Sequence, residues 1–207
     1  MIPSLLLFVY KHQISCFAPR SFSRVGYNKD MFANPDENVH EFGFRAGQMV
    51  ADLGSGAGHY TFALSKVLGP EGRVFAVDIQ DEMLSHLSME LKQKNIENVR
   101  VVLGDIEKEN GTHLKNVFVD GVVFSNILFQ FENKIGAVKE AFRILKPGGR
   151  ACVVEWHDLS FLANIKKDGQ KVVVTEENCK DLFVKAGFVF EKTFEAGDHH
   201  YGLIFKK

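Results

Sequence analysis

The chain has 207 residues, a length that fits one α/β domain or at most two small ones. Its 25 basic and 26 acidic residues give a net charge of -1, so its overall electrostatic field does not favour nucleic acid or an anionic membrane. The three cysteines form no C-x-x-C pair, which disfavours a disulfide scaffold and a structural zinc site. The composition is that of an ordinary globular protein, apart from 19 phenylalanines.

Residues 1–30 differ in charge from the rest of the chain: they carry +3, whereas residues 31–207 carry −4. The apolar run 5–10 ends at Lys11, well short of the roughly 20 residues of a membrane helix. No basic residue precedes the run, which disfavours a secretory signal, although the arginines and serines overlap with an organellar import signal. Three interpretations stay open for residues 1–30: a packed or disordered arm, a targeting segment, or a stretch ahead of a start at Met31. We expect a cytoplasmic protein without stable membrane insertion, whose single functional domain is residues 31–207.

From residue 49 onward, short apolar runs alternate with segments of helical periodicity, as expected for βα units on a mostly parallel sheet. The predicted strands are 49–53, 74–77, 99–103, 117–124, 151–154, 188–190 and 201–205. Leu84, Leu87 and Leu91 mark the helix after the second strand, and a later helix is predicted to end at residues 146–149, Lys-Pro-Gly-Gly. Thr175 is a predicted N-cap. The last two strands flank Gly197 and therefore predict an antiparallel hairpin.

A glycine-rich segment, residues 54–58 with the sequence Gly-Ser-Gly-Ala-Gly, joins the first predicted strand to a helix. Such a turn lets the backbone approach a ligand closely, and the following helix offers unpaired N–H groups. The nicotinamide fingerprint G-x-G-x-x-G would need a glycine where His59 stands, and the P-loop motif is absent. The segment therefore predicts a cofactor turn of another kind; a tight turn without a ligand is the structural alternative.

Acidic residues end the second and third predicted strands, where α/β folds bind ligands. Asp78 lies 20 residues after Gly58, a spacing that suits hydrogen bonds from ribose hydroxyls, although it could instead be a helix N-cap. Asp105 could accept from an exocyclic adenine amine or cap a turn. Asp52 lies inside an apolar strand and needs a partner, which a cationic ligand group would supply.

Four segments together carry a family pattern: V-A-D-L-G-S-G-A-G (50–58), V-D-I (77–79), G-D-I (104–106) and L-K-P-G-G (145–149). They resemble the class I S-adenosylmethionine-dependent methyltransferases, over residues 31–207. More narrowly, V-V-E-W (153–156) and H-Y-G-L-I-F (200–205) resemble the small-molecule branch related to ubiquinone and menaquinone biosynthesis. The resemblance implies a Rossmann-like, doubly wound α/β sheet of about seven strands, mostly parallel with an antiparallel C-terminal hairpin.

The resemblance also implies a site for S-adenosylmethionine, whose residues match the family motifs by position. Its methionine part would be lined by Asp52, Gly54, Ser55, Gly56 and Gly58. Asp78 would bind the ribose. Ile79 and Met83 would pack on the adenine ring, and Asp105 with Ile106 would contact the edge of the adenine. Ser125 and Asn126 would lie near the transferable methyl group.

The implied activity is methyl transfer to a small-molecule acceptor by in-line displacement. A non-catalytic nucleotide-binding or partner-binding module with the same fold is the alternative, and His59 disfavours a nicotinamide-dependent oxidoreductase. Residues 124–127, Phe-Ser-Asn-Ile, lack the prolines of the superfamily members that methylate amino groups on bases or glutamine. Cys152 and Cys179 are expected to be buried and inert, unlike the acceptor cysteines of arsenite methyltransferases. We expect no nucleic-acid partner, and either a monomer or a homodimer.

The catalytic residues are open at this stage. If the acceptor is a hydroxyl or thiol, His157 and His199, with the adjacent His200, are candidates for removing its proton, although solvated structural histidines are the alternative. No third residue at a suitable spacing supports a metal site at His199 and His200. Aromatic side chains follow the fourth and fifth predicted strands, and an apolar or aromatic acceptor is expected if several face the crevice: Phe124, Phe129, Phe131, Trp156 and Phe161. A local basic patch could arise from Lys166, Lys167 and Lys171.

Overall fold

The computed structural model describes residues 33–157 and 173–207, which form seven strands, five α-helices and a short 3-10 helix at Leu128–Gln130. The helices are α1 (Pro35–Phe42), α2 (His59–Leu68), α3 (Asp81–Gln93), α4 (Lys134–Ile144) and α5 (Glu176–Lys185). The strands are β1 (Met49–Leu53), β2 (Arg73–Asp78), β3 (Val99–Leu103), β4 (Val119–Ser125), β5 (Leu145–Trp156), β6 (Val189–Glu195) and β7 (His200–Lys206). The interpretations of residues 1–30 lie outside the described residues.

The strands form one mixed sheet in the order β3-β2-β1-β4-β5-β7-β6. Strands β1 to β5 are parallel, and β7 is antiparallel to both β5 and β6. This confirms the predicted α/β sheet with an antiparallel C-terminal hairpin. The strand order reverses between β1 and β4, the place where open α/β sheets form a ligand crevice.

Helices cover both faces of the sheet, which makes the fold doubly wound. On the first face, α1, α2 and α3 bury apolar side chains such as Phe42 and Leu64 against the strands. On the second face, α4 and α5 bury side chains such as Ile144 and Phe183. Because side chains alternate along a strand, strands such as β1, β4 and β5 contribute to both cores.

Helix boundaries follow the predicted signals. The Thr175 hydroxyl accepts a hydrogen bond from the Asn178 backbone N–H at the start of α5, which confirms the predicted N-cap. Leu84, Leu87 and Leu91 are buried on α3, as their spacing predicts. Helix α1 was not among the predicted elements.

Two predicted boundaries were wrong. Strand β4 begins at Val119, since Val117 adopts a φ of 53°, outside the extended region. Strand β5 spans Leu145–Trp156, so the predicted turn at residues 146–149 falls within it. Leu145 pairs with Val119 and Arg150 with Gly121, and the residues between them loop out as an irregularity in the ladder. A local sequence signal for a turn does not show that pairing resumes on both sides of it.

Candidate functional site

The glycine loop (residues 54–58) follows β1 and contains three glycines at positive φ, which do not all have the same surroundings. At Gly54, φ 81°, a Cβ would lie 2.6 Å from Cγ1 of Ile127. At Gly58, φ 85°, a Cβ would lie 2.4 Å from Cδ1 of Leu87. At Gly56, φ 49°, a Cβ would meet no heavy atom within 4 Å. The outer two glycines therefore allow close packing, whereas Gly56 leaves open space beside the loop.

Hydrogen bonds tie this loop to the end of β2. The backbone N–H groups of Gly54 and Ser55 donate to the Val77 carbonyl at 2.8 and 3.1 Å. The Gly56 N–H donates to Oδ2 of Asp78 at 2.8 Å, and the Gln80 N–H donates to Oδ1 at 2.9 Å. Both carboxylate oxygens of Asp78 thus accept a hydrogen bond from a backbone N–H, and each oxygen can still accept another hydrogen bond.

Asp78 is 5% exposed, and burial raises the pKa of its carboxyl. The alternative that it caps α3 does not hold, because Gln80 occupies the N-cap position of that helix. Asp78 instead joins the glycine loop to the β2 end, next to the crevice.

Apolar side chains are exposed beside Asp78. Ile79 is 60% exposed and Leu103, at the end of β3, is 53% exposed, while Met83 on α3 is half-buried. Leu103 pairs with Asp78 between β2 and β3, and Ile79 follows Asp78 directly, so exposed apolar surface flanks this acid and could accept an apolar ring. Leu103 was not predicted as a site residue, since the sequence alone does not show that it escapes burial.

Asp105 and Ile106 follow β3. Asp105 accepts from the Glu107 N–H at 3.1 Å and pairs with Lys108 at 3.0 Å. Ile106 is 5% exposed and belongs to the core of the second face. The Ile106 side chain therefore packs inside the protein.

Asp52 lies on the first face and is 1% exposed. The Thr61 hydroxyl of α2 donates to its Oδ2 at 2.6 Å, which supplies the partner that a cationic ligand group was expected to provide. Burial raises the pKa of Asp52 to about 6, against the lowering effect of the Thr61 hydrogen bonds. This buried acid is thus close to half ionised near pH 6.

A polar network joins α1 and α2 to the end of β4. Asn38 on α1 donates from Nδ2 to the Tyr60 hydroxyl at 2.9 Å and to the Ala196 carbonyl at 3.1 Å. Tyr60, whose pKa is raised by burial, also hydrogen-bonds to Ser125. Sequence reasoning missed Asn38 and Tyr60, because a helical asparagine and an apolar-stripe tyrosine carry no local signal of this contact.

The post-β4 turn (residues 126–129) follows. Asn126 has a φ of 52°, and its N–H donates to the Val154 carbonyl at 2.9 Å. Glu155 of β5 accepts from the Leu128 N–H at 2.9 Å and from the Trp156 N–H at 3.1 Å. Burial raises the pKa of Glu155 to about 7, although these backbone N–H groups lower it. Glu155 was not predicted as a site residue, although an acid inside the apolar segment V-V-E-W is a sequence signal that could have identified it.

The three candidate histidines meet at one end of β5 and β7. The His157 N–H donates to the His199 carbonyl at 2.8 Å; His157 is exposed and His199 is half-buried. His200 is 1% exposed, and its ring centroid lies 3.9 Å from that of Trp156. Burial lowers the pKa of His200 to about 4, so its imidazole is neutral near pH 7.

The aromatic residues after β4 lie in or against the core of the second face. Phe124 is 1% exposed and packs edge-on against Phe183 at 5.8 Å, so it does not face the crevice. Strand alternation turns Phe124 towards the second face, whereas Ser125 next to it faces the first. Phe129 and Phe131 are half-buried against the same core. Phe161, Lys166, Lys167 and Lys171 lie outside the described residues.

Cys152 and Cys179 are both fully buried, as predicted, and burial raises the pKa of each thiol. The described residues contain no cluster of three or more histidine, cysteine, aspartate or glutamate side chains arranged to hold a metal ion. In the same part of the chain, no helix combines the length and apolar character needed to cross a membrane.

Two buried polar atoms beside the crevice lack hydrogen-bond partners within the described residues: Oγ of Ser55 and Oδ1 of Asn126. Buried polar atoms are nearly always hydrogen-bonded, so these two atoms are able to bind water or a polar ligand. The amino and carboxylate groups of a methionine moiety can supply both partners. The open space at Gly56, the two buried carboxylates and the exposed apolar side chains likewise fit S-adenosylmethionine.

The sheet order, the glycine loop and the acid at the end of β2 together define a class I S-adenosylmethionine-dependent methyltransferase domain. The chain belongs to the methyltransferase domain family, whose sequence profile matches residues 45–195. S-adenosylmethionine is the cofactor of this class.

The sequence is also similar to curated methyltransferases. The ubiquinone/menaquinone biosynthesis C-methyltransferase UbiE of Haemophilus ducreyi is 38% identical over 119 residues, and that of Vibrio campbellii is 35% identical over 115. Each match covers 55% of this chain and 43% of the relative, so the chain spans less than half the length of these relatives. A solved methyltransferase structure from Aquifex aeolicus shares the fold, with a TM-score of 0.72 at 24% identity, covering 84% of this chain and 89% of that one.

Proposed function

We propose that this protein transfers a methyl group from S-adenosylmethionine to a small-molecule acceptor, and that residues 31–207 form the working domain in the cytoplasm. The observation that carries the proposal is the pair of unsatisfied buried atoms, Ser55 Oγ and Asn126 Oδ1, at the strand-order reversal. The relatives named above support the assignment of a methyltransferase. Bound S-adenosylmethionine would supply an electrophilic methyl group on a sulfonium.

The residues of this chain would divide the binding among themselves. Asp78, which already holds the glycine loop, would accept from the ribose hydroxyls with its remaining acceptor capacity. Ile79 and Met83 would pack on the adenine, and Asp105 would accept from its amine. Asp52, when ionised, would give a negative electrostatic potential beside the methionine part of the cofactor.

The β4 end would position the acceptor. Methyl transfer proceeds in line, so alignment in a dry pocket can supply several kcal/mol, up to roughly 7–11 in the best intramolecular cases. Ser125 and Asn126 would border the transferred methyl group. Trp156, half-buried with its ring centroid 3.9 Å from that of His200, would offer an aromatic wall on the same face as Ser125. This arrangement favours an acceptor with an apolar or aromatic body.

A proton acceptor enters the proposal only for a hydroxyl or thiol substrate. His157 and His199 are the candidates, because one backbone hydrogen bond holds them together at the end of β5. A His157→Ala variant that keeps its full rate across the pH range would remove His157 from this role.

The activity test measures S-adenosylhomocysteine formed from S-adenosylmethionine with a set of phenols, quinols, thiols and amines. Wild-type protein is expected to release S-adenosylhomocysteine with at least one class, and Asp78→Ala protein much less. Tight cofactor binding without turnover on any acceptor class would favour the non-catalytic binding module instead.

A further inference from the structure

The post-β4 turn and the glycine loop are in direct contact. The Ile127 side chain packs on Gly54 so closely that a Cβ there would lie 2.6 Å from Cγ1 of Ile127. Asn126 begins the turn with a left-handed backbone and a buried Oδ1 that has no partner among the described residues. The turn therefore forms the β4 side of the cofactor crevice.

Glu155 holds this turn by its backbone. Its carboxylate is 1% exposed and accepts from the Leu128 N–H at 2.9 Å, and the N–H groups of Ile127 and Phe129 also bond to it. None of the ion pairs within the described residues includes Glu155. When several consecutive backbone N–H groups donate to one buried carboxylate, that carboxylate fixes the path of the backbone. Losing these hydrogen bonds would leave buried N–H groups unsatisfied, which costs free energy.

Glu155 itself does not face the crevice residues. Strand alternation places it on the second face with Val153, whereas Asp52 and Ser125 lie on the first. It can therefore influence a ligand on the first face only through the turn.

We propose that Glu155 is a positioning residue, which sets the post-β4 turn and, through Ile127 and Asn126, the β4 side of the S-adenosylmethionine site. This inference rests on the proposed function, because it concerns the same cofactor site. Glu155 would shape the site without contacting the ligand.

A role in stability alone is the competing explanation, and Glu140 provides the matched control. Glu140 is also a buried glutamate, 2% exposed, and its carboxylate accepts from Thr112 and Arg143 on the α4 side. It does not bond to the post-β4 turn. Glu155→Gln and Glu140→Gln therefore each replace a buried carboxyl group by an amide at a comparable burial, but only the first loosens the turn.

The test is calorimetric titration of the full chain with S-adenosylhomocysteine. Glu155→Gln is expected to weaken binding about fivefold or more, and Glu140→Gln to change it less than about twofold. Equal losses in both variants, or wild-type affinity in Glu155→Gln, would overturn the positioning role. If Glu155→Gln does not fold, Ile127→Ala tests the same route, and unchanged affinity in that variant would overturn it too.

A second readout needs no ligand. In ¹⁵N-¹H NMR spectra, Glu155→Gln is expected to shift the amide signals of Asn126, Ile127 and Gly54, and Glu140→Gln to leave them in place. Unmoved signals in Glu155→Gln contradict the inference. If wild-type protein fails to bind S-adenosylhomocysteine, the proposed function is wrong, while the amide comparison still shows whether Glu155 sets the turn.

Discussion

The carboxyl edge of the sheet has two halves that are built differently. In the half formed by β1, β2 and β3, contacts are close in sequence: Thr61 holds Asp52 across nine residues, and Asp78 holds Gly56 across 22. In the half formed by β4, β5 and β7, contacts join more distant segments: Tyr60 of α2 bonds to Ser125 of β4, and Asn38 on α1 reaches Ala196 before β7 across 158 residues. The first half is a local motif that recurs between proteins, and the second depends on how distant segments meet in this chain. Cofactor binding should therefore depend first on the local half, and acceptor choice on the distant one.

The largest expected effect is a loss of stability that differs between two glycines of the local half, Gly58 and Gly56. Gly58→Ala places a Cβ at positive φ against Leu87, so we expect the free energy of unfolding to fall by about 2–4 kcal/mol. Gly56→Ala faces open space and is expected to cost less stability, about 1–2 kcal/mol, while it weakens S-adenosylhomocysteine binding. Urea denaturation and calorimetric titration of both variants measure the two effects. Equal stability losses would mean that the loop is not packed as described.

The next effect lies in the distant half and depends on pH. The folded pKa of Glu155 is raised to about 7 from an ordinary 4.5, so its contribution to stability is greatest at low pH and is lost as the pH rises through 7. Glu155→Gln lacks this dependence. Between pH 5 and pH 8, we expect wild-type protein to lose about 2–3 kcal/mol of stability relative to Glu155→Gln.

Urea denaturation of both proteins at the two pH values measures this difference. Asp52, with a raised pKa, and His200, with a lowered pKa, also change the pH dependence, but both are present in each protein and cancel in the comparison. A difference that stays constant with pH would show that Glu155 is not a buried acid of raised pKa.

A third variant tests the acid that joins the loop to β2. Asp78→Ala removes the acceptor of the Gly56 N–H and the expected ribose contacts, so S-adenosylhomocysteine affinity should fall about ten- to hundredfold. Asp78→Asn keeps one acceptor oxygen and should lose less. Wild-type affinity in Asp78→Ala, measured by calorimetric titration, would remove the assigned role.

The smallest expected effect is a loss of stability at α5, a helix outside both halves of the edge. Thr175→Ala removes the cap of α5 and should lower the free energy of unfolding by about 1 kcal/mol. Because α5 packs on the second face, S-adenosylhomocysteine affinity should not change. Loss of affinity in this variant would show that cofactor binding also depends on α5, against this expectation.

The contrast between the halves also explains what the sequence could predict. The glycine loop, Asp78 and the C-terminal hairpin could be predicted because turn residues and apolar runs act over short separations. The partner of Asp52 could not be identified, since Thr61 carries no signal beyond helix periodicity. The face on which Phe124 lies could not be predicted, because it depends on the register of β4 with β1 and β5. The Asn38–Tyr60–Ser125 network required three elements that meet only in the folded chain.

The central claim is that this crevice holds S-adenosylmethionine, and its most direct test is calorimetric titration of the full chain with S-adenosylmethionine and S-adenosylhomocysteine. We predict saturable binding of one molecule per chain, and competition between the two ligands. Absence of binding to protein that circular dichroism shows to be folded would contradict the account.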